Sequence, residues 1–299
     1  MHSTLVIFLD GVGIGKNDTL KNPFFQKQFK FLNEIFGETP HLENQSISKG
    51  NKYIFPVDAN MNVEGLPQSG TGQTSIFCGV NASKIVGRHF GPFPFSTLKP
   101  IIETENIFNS FIKKGLKVNF ANAFPQIFFD YINSGRKRLN VTTLMALASD
   151  VQLFALVDLL NEKAISADIT NRRWNTKMSY NIPIISPETA ADRLLKITSE
   201  NQFTLFEYFF TDHLGHGRNK EDFDILLDDL DRFLFRIISK VADNTTLLIC
   251  SDHGNLENIS VKGHTNNPTL TISAGFGSYN LMTKIKDLSQ IKSALIDLY

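Results

Sequence analysis

Cysteine is scarce in this chain. Only Cys78 and Cys250 occur in 299 residues. Both sit among apolar neighbours, so the pair reads as two small core residues in a reducing compartment, not as a disulfide framework. Net charge is lacking too: 30 basic side chains are matched by 30 acidic ones. Bulk electrostatics therefore gives no means of holding nucleic acid. No apolar run approaches the length of a membrane span. The apolar stretch Leu5–Leu9 is only five residues long and runs into Asp10-Gly11. That is too short for the core of a signal peptide, and no cleavage pattern follows. The expectation is a cytoplasmic protein with neither a membrane nor a nucleic-acid partner; the oligomeric state is left open. What is abundant is apolar material. The chain is 42% hydrophobic, with 26 Phe, ample for a large α/β core as one domain or one domain plus a small insert.

Three apolar runs end in the same way. Leu5–Leu9 is continuous and β-compatible, as in a strand buried on both faces, and it ends at Asp10-Gly11-Val12-Gly13-Ile14-Gly15. Phe203–Phe210 ends at Thr211-Asp212-His213-Leu214-Gly215-His216. Thr246–Ile249 ends at Cys250-Ser251-Asp252-His253-Gly254-Asn255, and His264 follows within Gly-His-Thr-Asn-Asn-Pro. Ligands of open α/β sheets bind where strands end, so Asp10, Asp212 and Asp252 share one expected location. Asp212 and His216 are four residues apart. One helical turn after the strand places both on one face, the spacing of many metal-ligand pairs. Three carboxylates and three imidazoles (His216, His253, His264) suit a pair of divalent cations. Mixed nitrogen and oxygen donors without thiolate favour Mn or Zn, with Mg possible. The glycines after Asp10 tempt a dinucleotide reading, but the third glycine is misplaced and no helix pattern follows.

A fourth stretch complements these. Gly65–Val80 begins with glycines and small hydroxylated residues, including Ser69 and Thr71, and becomes apolar and helix-like. A hydroxyl at a helix N-terminus meets backbone amides and a dipole that favour a phosphate's negative charge.

Between these stretches the pattern alternates strand with helix. Residues 16–64 are polar and irregular, with a helix expected at Phe24–Phe36. A helix is read at Asn106–Lys114, a strand at Leu116–Ala121 and a helix around Leu144–Leu160. Ser186 as N-cap and Pro187 at the first helical position open a further helix through Ile197. Phe223, Leu226, Leu227, Leu230, Phe233, Leu234, Ile237 and Ile238 keep helical spacing. A strand near Thr269–Ser273 and a helix from about Leu288 close the chain. The expected fold is α/β: a three-layer sandwich with a mainly parallel central sheet and helices on both faces. Residues 1–125 and 186–299 form the expected core, and 126–185 a small inserted cap. The insert carries two basic clusters, Arg136-Lys137-Arg138 and Arg172-Arg173-Trp174. Arg172, Arg173 and the loop residue Arg88 are candidate clamps for a substrate anion.

Taken together, the pieces LDGVG at Leu9–Gly13, SGTGQTSIFCG at Ser69–Gly79, DHLGH at Asp212–His216, SDHGN at Ser251–Asn255 and GHTNNP at Gly263–Pro268 resemble the alkaline phosphatase superfamily. Within it, the chain is similar to the metalloenzyme branch of cofactor-independent phosphoglycerate mutase and phosphopentomutase. The resemblance implies that Asp10, Ser69, Asp252 and His253 hold one metal, and Asp212, His216 and His264 the other. It implies Ser69 as nucleophile, ten residues before Gly79 as in related sulfatases and phosphodiesterases, with Thr71 as runner-up. Where the mutases carry His, this chain carries Gln73. The expected activity is hydrolysis of a small-molecule phosphomonoester through a phosphoseryl intermediate. Phosphomutase, phosphodiesterase or sulfatase-like activity are the alternatives within the superfamily, and a non-catalytic metal-binding protein the alternative outside enzymes.

Overall fold

The computed structural model describes residues 2–135 and 138–299. Arg136 and Lys137 of the first basic cluster lie outside the described residues.

The centre is a seven-strand sheet in the order β2-β3-β9-β8-β1-β7-β4. The strands are β1 (Ser3–Leu9), β2 (Ile47–Lys49), β3 (Lys52–Val57), β4 (Val118–Phe120), β7 (Phe203–Tyr208), β8 (Thr245–Cys250) and β9 (Thr269–Gly275). A separate two-strand ladder joins β5 (Asn122–Ala123) to β6 (Ile165–Ser166). β1 is central and pairs in parallel with β7 and β8, as β4 does with β7. The other edge is antiparallel: β8 with β9, β9 with β3, and β3 with β2. The sheet is thus mixed, parallel on one side of β8 and antiparallel on the other. β2 and β3 lie in the stretch expected to be irregular. Their charged and tyrosine-bearing residues mark a sheet edge, not the apolar pattern of a central strand.

Alternation along the central strands makes the layers. Leu5, Ile7 and Leu9 face one side with Phe206, Tyr208, Leu247 and Ile249, under the helices Pro187–Ser199 and Phe223–Lys240. Val6 and Phe8 face the other with Leu205, Leu248 and Cys250, under the helices Ser69–Cys78, Ile107–Lys113 and Ile291–Ile296. This is the three-layer sandwich. Two helices differ from expectation. Phe24–Phe36 is two single turns, Pro23–Gln26 and Lys30–Asn33. The Leu144–Leu160 stretch is likewise divided, into Val141–Ala148 and Leu156–Leu160. Val141, Met145 and Ala146 belong to the second core layer, so part of the 126–185 stretch packs inside the sandwich.

Strand direction places the loops. β1, β7 and β8 run together, so Asp10, Asp212 and Asp252 emerge at one end. β9 runs against β8, so its entrance, preceded by His264, lies at that same end. β3 runs against β9 and so leaves the sheet there too, feeding residues 58–68 into the helix that starts at Ser69.

Candidate metal centre

Two triads converge at that sheet end. Asp10, Asp252 and His253 bring ligand atoms within 4.8 Å of one another, as do Asp212, His253 and His264. His253 belongs to both. Its Nε2 stands 3.3 Å from Asp10 Oδ1, 3.6 Å from Asp252 Oδ2 and 3.1 Å from Ser69 Oγ. His216 Nε2 is 3.3 Å from Asp212 Oδ1 and 3.3 Å from His264 Nε2. All seven residues expected from the sequence are therefore in one cluster.

The small residues of the motifs make that convergence sterically possible. Gly11 has φ +70°, and a Cβ there would lie 3.0 Å from Asp212 Cβ. A Cβ on Gly72 would lie 2.9 Å from both Asp252 Cβ and its carbonyl oxygen. Larger residues at either place push a carboxylate out of the cluster.

Outer contacts set the tautomers. His216 Nδ1–H donates to the Lys262 carbonyl at 2.7 Å, and His264 Nδ1–H to the Pro67 carbonyl at 2.6 Å. A carbonyl only accepts, so each ring turns Nε2 inward as an available donor atom. Asn255 Nδ2 donates to Asp212 Oδ1 at 2.7 Å. Gln73, in place of the mutases' histidine, reaches Asp252 Oδ2 with Nε2 at 3.4 Å.

The electrostatics are those of a cluster lacking counter-charge. Burial, then the Asp252 charge, pushes the Asp10 carboxyl well above its usual range. Burial also raises Asp252. Burial opposes a charge on His253, but Asp252 and Asp10 outweigh it and lift the imidazole to about 10. Burial and the His253 charge depress His264 to about 4. Burial acts to raise Asp212 as well, yet the His216 hydrogen bond and the His253 charge hold it below the carboxylate range. His253 Nδ1 is buried with no hydrogen-bond partner among the described residues, and buried Asp10 Oδ1 has none beyond the 3.3 Å ionic contact with His253 Nε2. Buried carboxylates, inward-facing imidazole nitrogens and an under-coordinated carboxylate oxygen fit divalent cations, which would neutralise the repulsion and complete the coordination.

Ser69 begins a ten-residue helix and is 7% exposed. Thr71 is fully buried and committed elsewhere. Its hydroxyl donates to the Gln68 carbonyl at 3.1 Å and accepts from Phe90 N–H at 3.2 Å.

The candidate clamps are placed differently. Arg88 lies over the Phe90 ring, 5.6 Å from its centroid, beside a hollow that Gln68 also lines. Gln68 directly precedes Ser69. Arg172 lines a small hollow with Asp168 and Asp229, away from the metal cluster. Arg173 binds the Asp222 carboxylate and donates to Asn219 Oδ1 at 2.9 Å, with its guanidinium 4.8 Å over the Phe210 ring. The structure does not bring Arg172 or Arg173 to the two triads.

Two site features were missed in the sequence. Glu257 is 1% exposed and ties the loops together; its place in a polar loop gave no sign of that burial. Glu207 is buried within β7. A lone acid inside the apolar run FTLFEYFF was a readable signal.

Carboxylate–imidazole triads around a helix-borne serine, at the end of an α/β sheet, define a metal-dependent enzyme of the phosphoryl-transfer and sulfatase type. The chain belongs to the metalloenzyme superfamily, whose family model matches residues 2–293. No curated protein matches the chain. Solved structures do. The alkaline phosphatase of the Antarctic bacterium TAB5 is 13% identical over 99% of this chain and 97% of its own, with TM-score 0.53. The PH0037 protein of Pyrococcus horikoshii is 15% identical over 99% and 96%, with TM-score 0.56. A cold-active alkaline phosphatase from Shewanella sp. is 9% identical over 98% and 99%, with TM-score 0.52. At these identities the likeness establishes the fold alone, one shared with these alkaline phosphatases.

Proposed function

We propose that this chain is a phosphomonoester hydrolase that works by double displacement through Ser69. The observation that carries the reading is the position of Ser69 Oγ. It sits at a helix N-terminus, 3.1 Å from the one imidazole nitrogen that faces both triads. Asp10, Ser69, Asp252 and His253 are assigned to one cation, and Asp212, His216 and His264 to the other, Mn or Zn by donor chemistry. When bound, such ions lower the pKa of a coordinated hydroxyl and offset charge on phosphoryl oxygens.

The remaining work falls to the chain. Ser69 Oγ attacks phosphorus, forming the Oγ–P bond as the bond to the alcohol oxygen breaks; the alcohol leaves with a proton. Water then attacks the phosphoserine, breaking Oγ–P and releasing phosphate. The amides opening the Ser69–Cys78 helix favour the anionic phosphoryl group at both stages. Arg88, on the hollow that Gln68 also lines, is the cation assigned to a phosphoryl oxygen.

Acid quenching during turnover should leave phosphate on Ser69. Ser69→Ala should lose about 10⁴-fold or more in turnover, as removal of a nucleophile does elsewhere. Label on Thr71, or a Ser69→Ala variant with most of its activity, would overturn the assignment. Product analysis decides the reaction: free phosphate with free alcohol supports hydrolysis. A positional isomer of the substrate supports the phosphomutase alternative instead, and a nucleoside monophosphate or sulfate release the phosphodiesterase or sulfatase ones.

A further inference from the structure

One large cavity is not lined by any residue of the two triads. It has a volume of about 970 Å³, the upper range for a small-molecule site. Its walls are aromatic: Phe93, Phe124, Phe128, Trp174, Phe209 and Phe210 all line it. Phe124 and Phe128 stack at 4.3 Å, and Phe209 and Phe210 lie 4.5 Å apart. The helix Gln126–Asn133 forms part of the wall. None of its residues is buried, although it carries Ile127, Phe128, Phe129, Tyr131 and Ile132. An apolar helix face turned on an open cavity is a face without a packing partner.

Two residues of the cavity wall neighbour residues of the metal centre. His213, on its wall, directly follows Asp212. Phe93, on its wall, sets its carbonyl against Gly70, the residue after Ser69. Its cations are Arg138, which is exposed, Arg173 and Lys177. Arg173 is committed to Asp222, and Lys177 to Glu221 at 2.9 Å. Three carboxyl groups, Asp130, Asp168 and Glu207, also line it. Glu207 takes hydrogen bonds from Thr142 Oγ1 at 2.6 Å and from Asn140 Nδ2 at 3.2 Å.

We infer that this cavity receives the alcohol half of the substrate, so that the chain acts on phosphoesters of large, ring-bearing apolar alcohols in preference to small or polyanionic ones. The inference rests on the phosphoryl-transfer reading above for what happens at Ser69. For the occupant of the cavity it rests on the aromatic walls and on His213 and Phe93, the wall residues that neighbour Asp212 and Gly70.

The test compares ethyl, benzyl and 2-naphthylmethyl phosphate with the metal-loaded protein. The three leaving alcohols have similar basicity, so differences in kcat/KM report binding of the ring rather than intrinsic reactivity. Burying one ring is expected to raise kcat/KM about tenfold to a hundredfold over ethyl phosphate. Phe128→Ala should bring that ratio down by about tenfold. Because the readout is a ratio, a general loss of folded protein does not imitate it. Trp174 is the only tryptophan of the chain and lies on the cavity wall. Its fluorescence therefore reports occupancy without any turnover, and 4-nitrobenzyl alcohol should quench it saturably. A ratio near one overturns the inference, whatever the alcohol does to Trp174. If none of the esters is turned over, the phosphoryl-transfer reading fails by itself and Trp174 decides the cavity. Saturable quenching that weakens in Phe128→Ala upholds an apolar-alcohol site there, and its absence in the wild type removes it.

Discussion

Glu207 is one carboxyl group in a strand that is otherwise apolar and aromatic. Burial pushes its pKa up from 4.5 to about 7, although the Thr142 and Asn140 hydrogen bonds act in the other direction. Between these values the folded chain holds a proton that the unfolded chain has released. Folding therefore takes up a proton there, and stability falls as pH rises from about 4.5 to about 7. Below that window Glu207 carries no penalty, and above it the penalty is complete, at most about 3 kcal/mol. Glu207→Gln keeps the size and an acceptor oxygen but cannot ionise. Urea unfolding of both proteins from pH 4 to 8 should show the variant gaining on the wild type through that window and levelling off above it. A constant difference between the two curves would mean that Glu207 ionises as readily folded as unfolded.

One loop, between β8 and β9, supplies Asp252, His253 and His264, and it is held by Glu257. Oε2 of Glu257 accepts from the amides of Gly13 at 2.9 Å and Asn255 at 2.8 Å. Oε1 accepts from Asn267 Nδ2 at 3.0 Å and from the Thr265 hydroxyl. A single side chain thus ties the β1 exit, the β8 exit and the β9 entrance. Glu257→Gln turns one amide N–H toward two donors. It should cost about 2–3 kcal/mol of stability and lower metal affinity about 10- to 100-fold by loosening the ligands; wild-type affinity in a metal titration would show the loop to be self-supporting. Elements of this kind divide the legible from the illegible. β1, β7 and β8 were readable because burial on both faces demands an unbroken apolar run. The Phe223–Lys240 helix was readable because one buried face demands helical spacing. β2 and β3 were not, since β3 is placed by its partner β9, 212 or more residues away in the Val57–Thr269 register, and the edge strand β2 only by pairing with β3. The convergence of Asp10, Asp212 and Asp252 was legible because each stands at the end of a readable strand. The surroundings of Arg173 were not legible, because a cation's partner, here Asp222, lies in a distant segment that local pattern does not reveal.

At the scale of the whole molecule, the site is a cost to the fold. β1, β7, β8 and β9 deliver three carboxyl groups and three imidazoles to one end of the sheet, with Asp252 and His253 fully buried. Without cations, Asp10 and Asp252 are pressed together in an interior that disfavours both charges. Mn or Zn at a hundred times its dissociation constant should stabilise the chain by about 2.7 kcal/mol, a rise in Tm of several degrees for a protein this long. Chelation should reverse it. Asp252→Asn separates this linkage from ordinary structural damage, because its two effects have opposite signs. The amide oxygen can still accept from Gly11 N–H, as Asp252 Oδ1 does at 3.3 Å. The new N–H can meet Gln73 Oε1, which has no hydrogen-bond partner among the described residues, once that amide turns over. Replacing the charge should therefore raise the Tm of the metal-free protein while abolishing most of the metal-dependent increment. A variant less stable than wild type in chelator and still raised fully by Mn would show that Asp252 serves the fold and not the cations. Calorimetric scans in chelator and in excess metal, on the two proteins side by side, distinguish these outcomes.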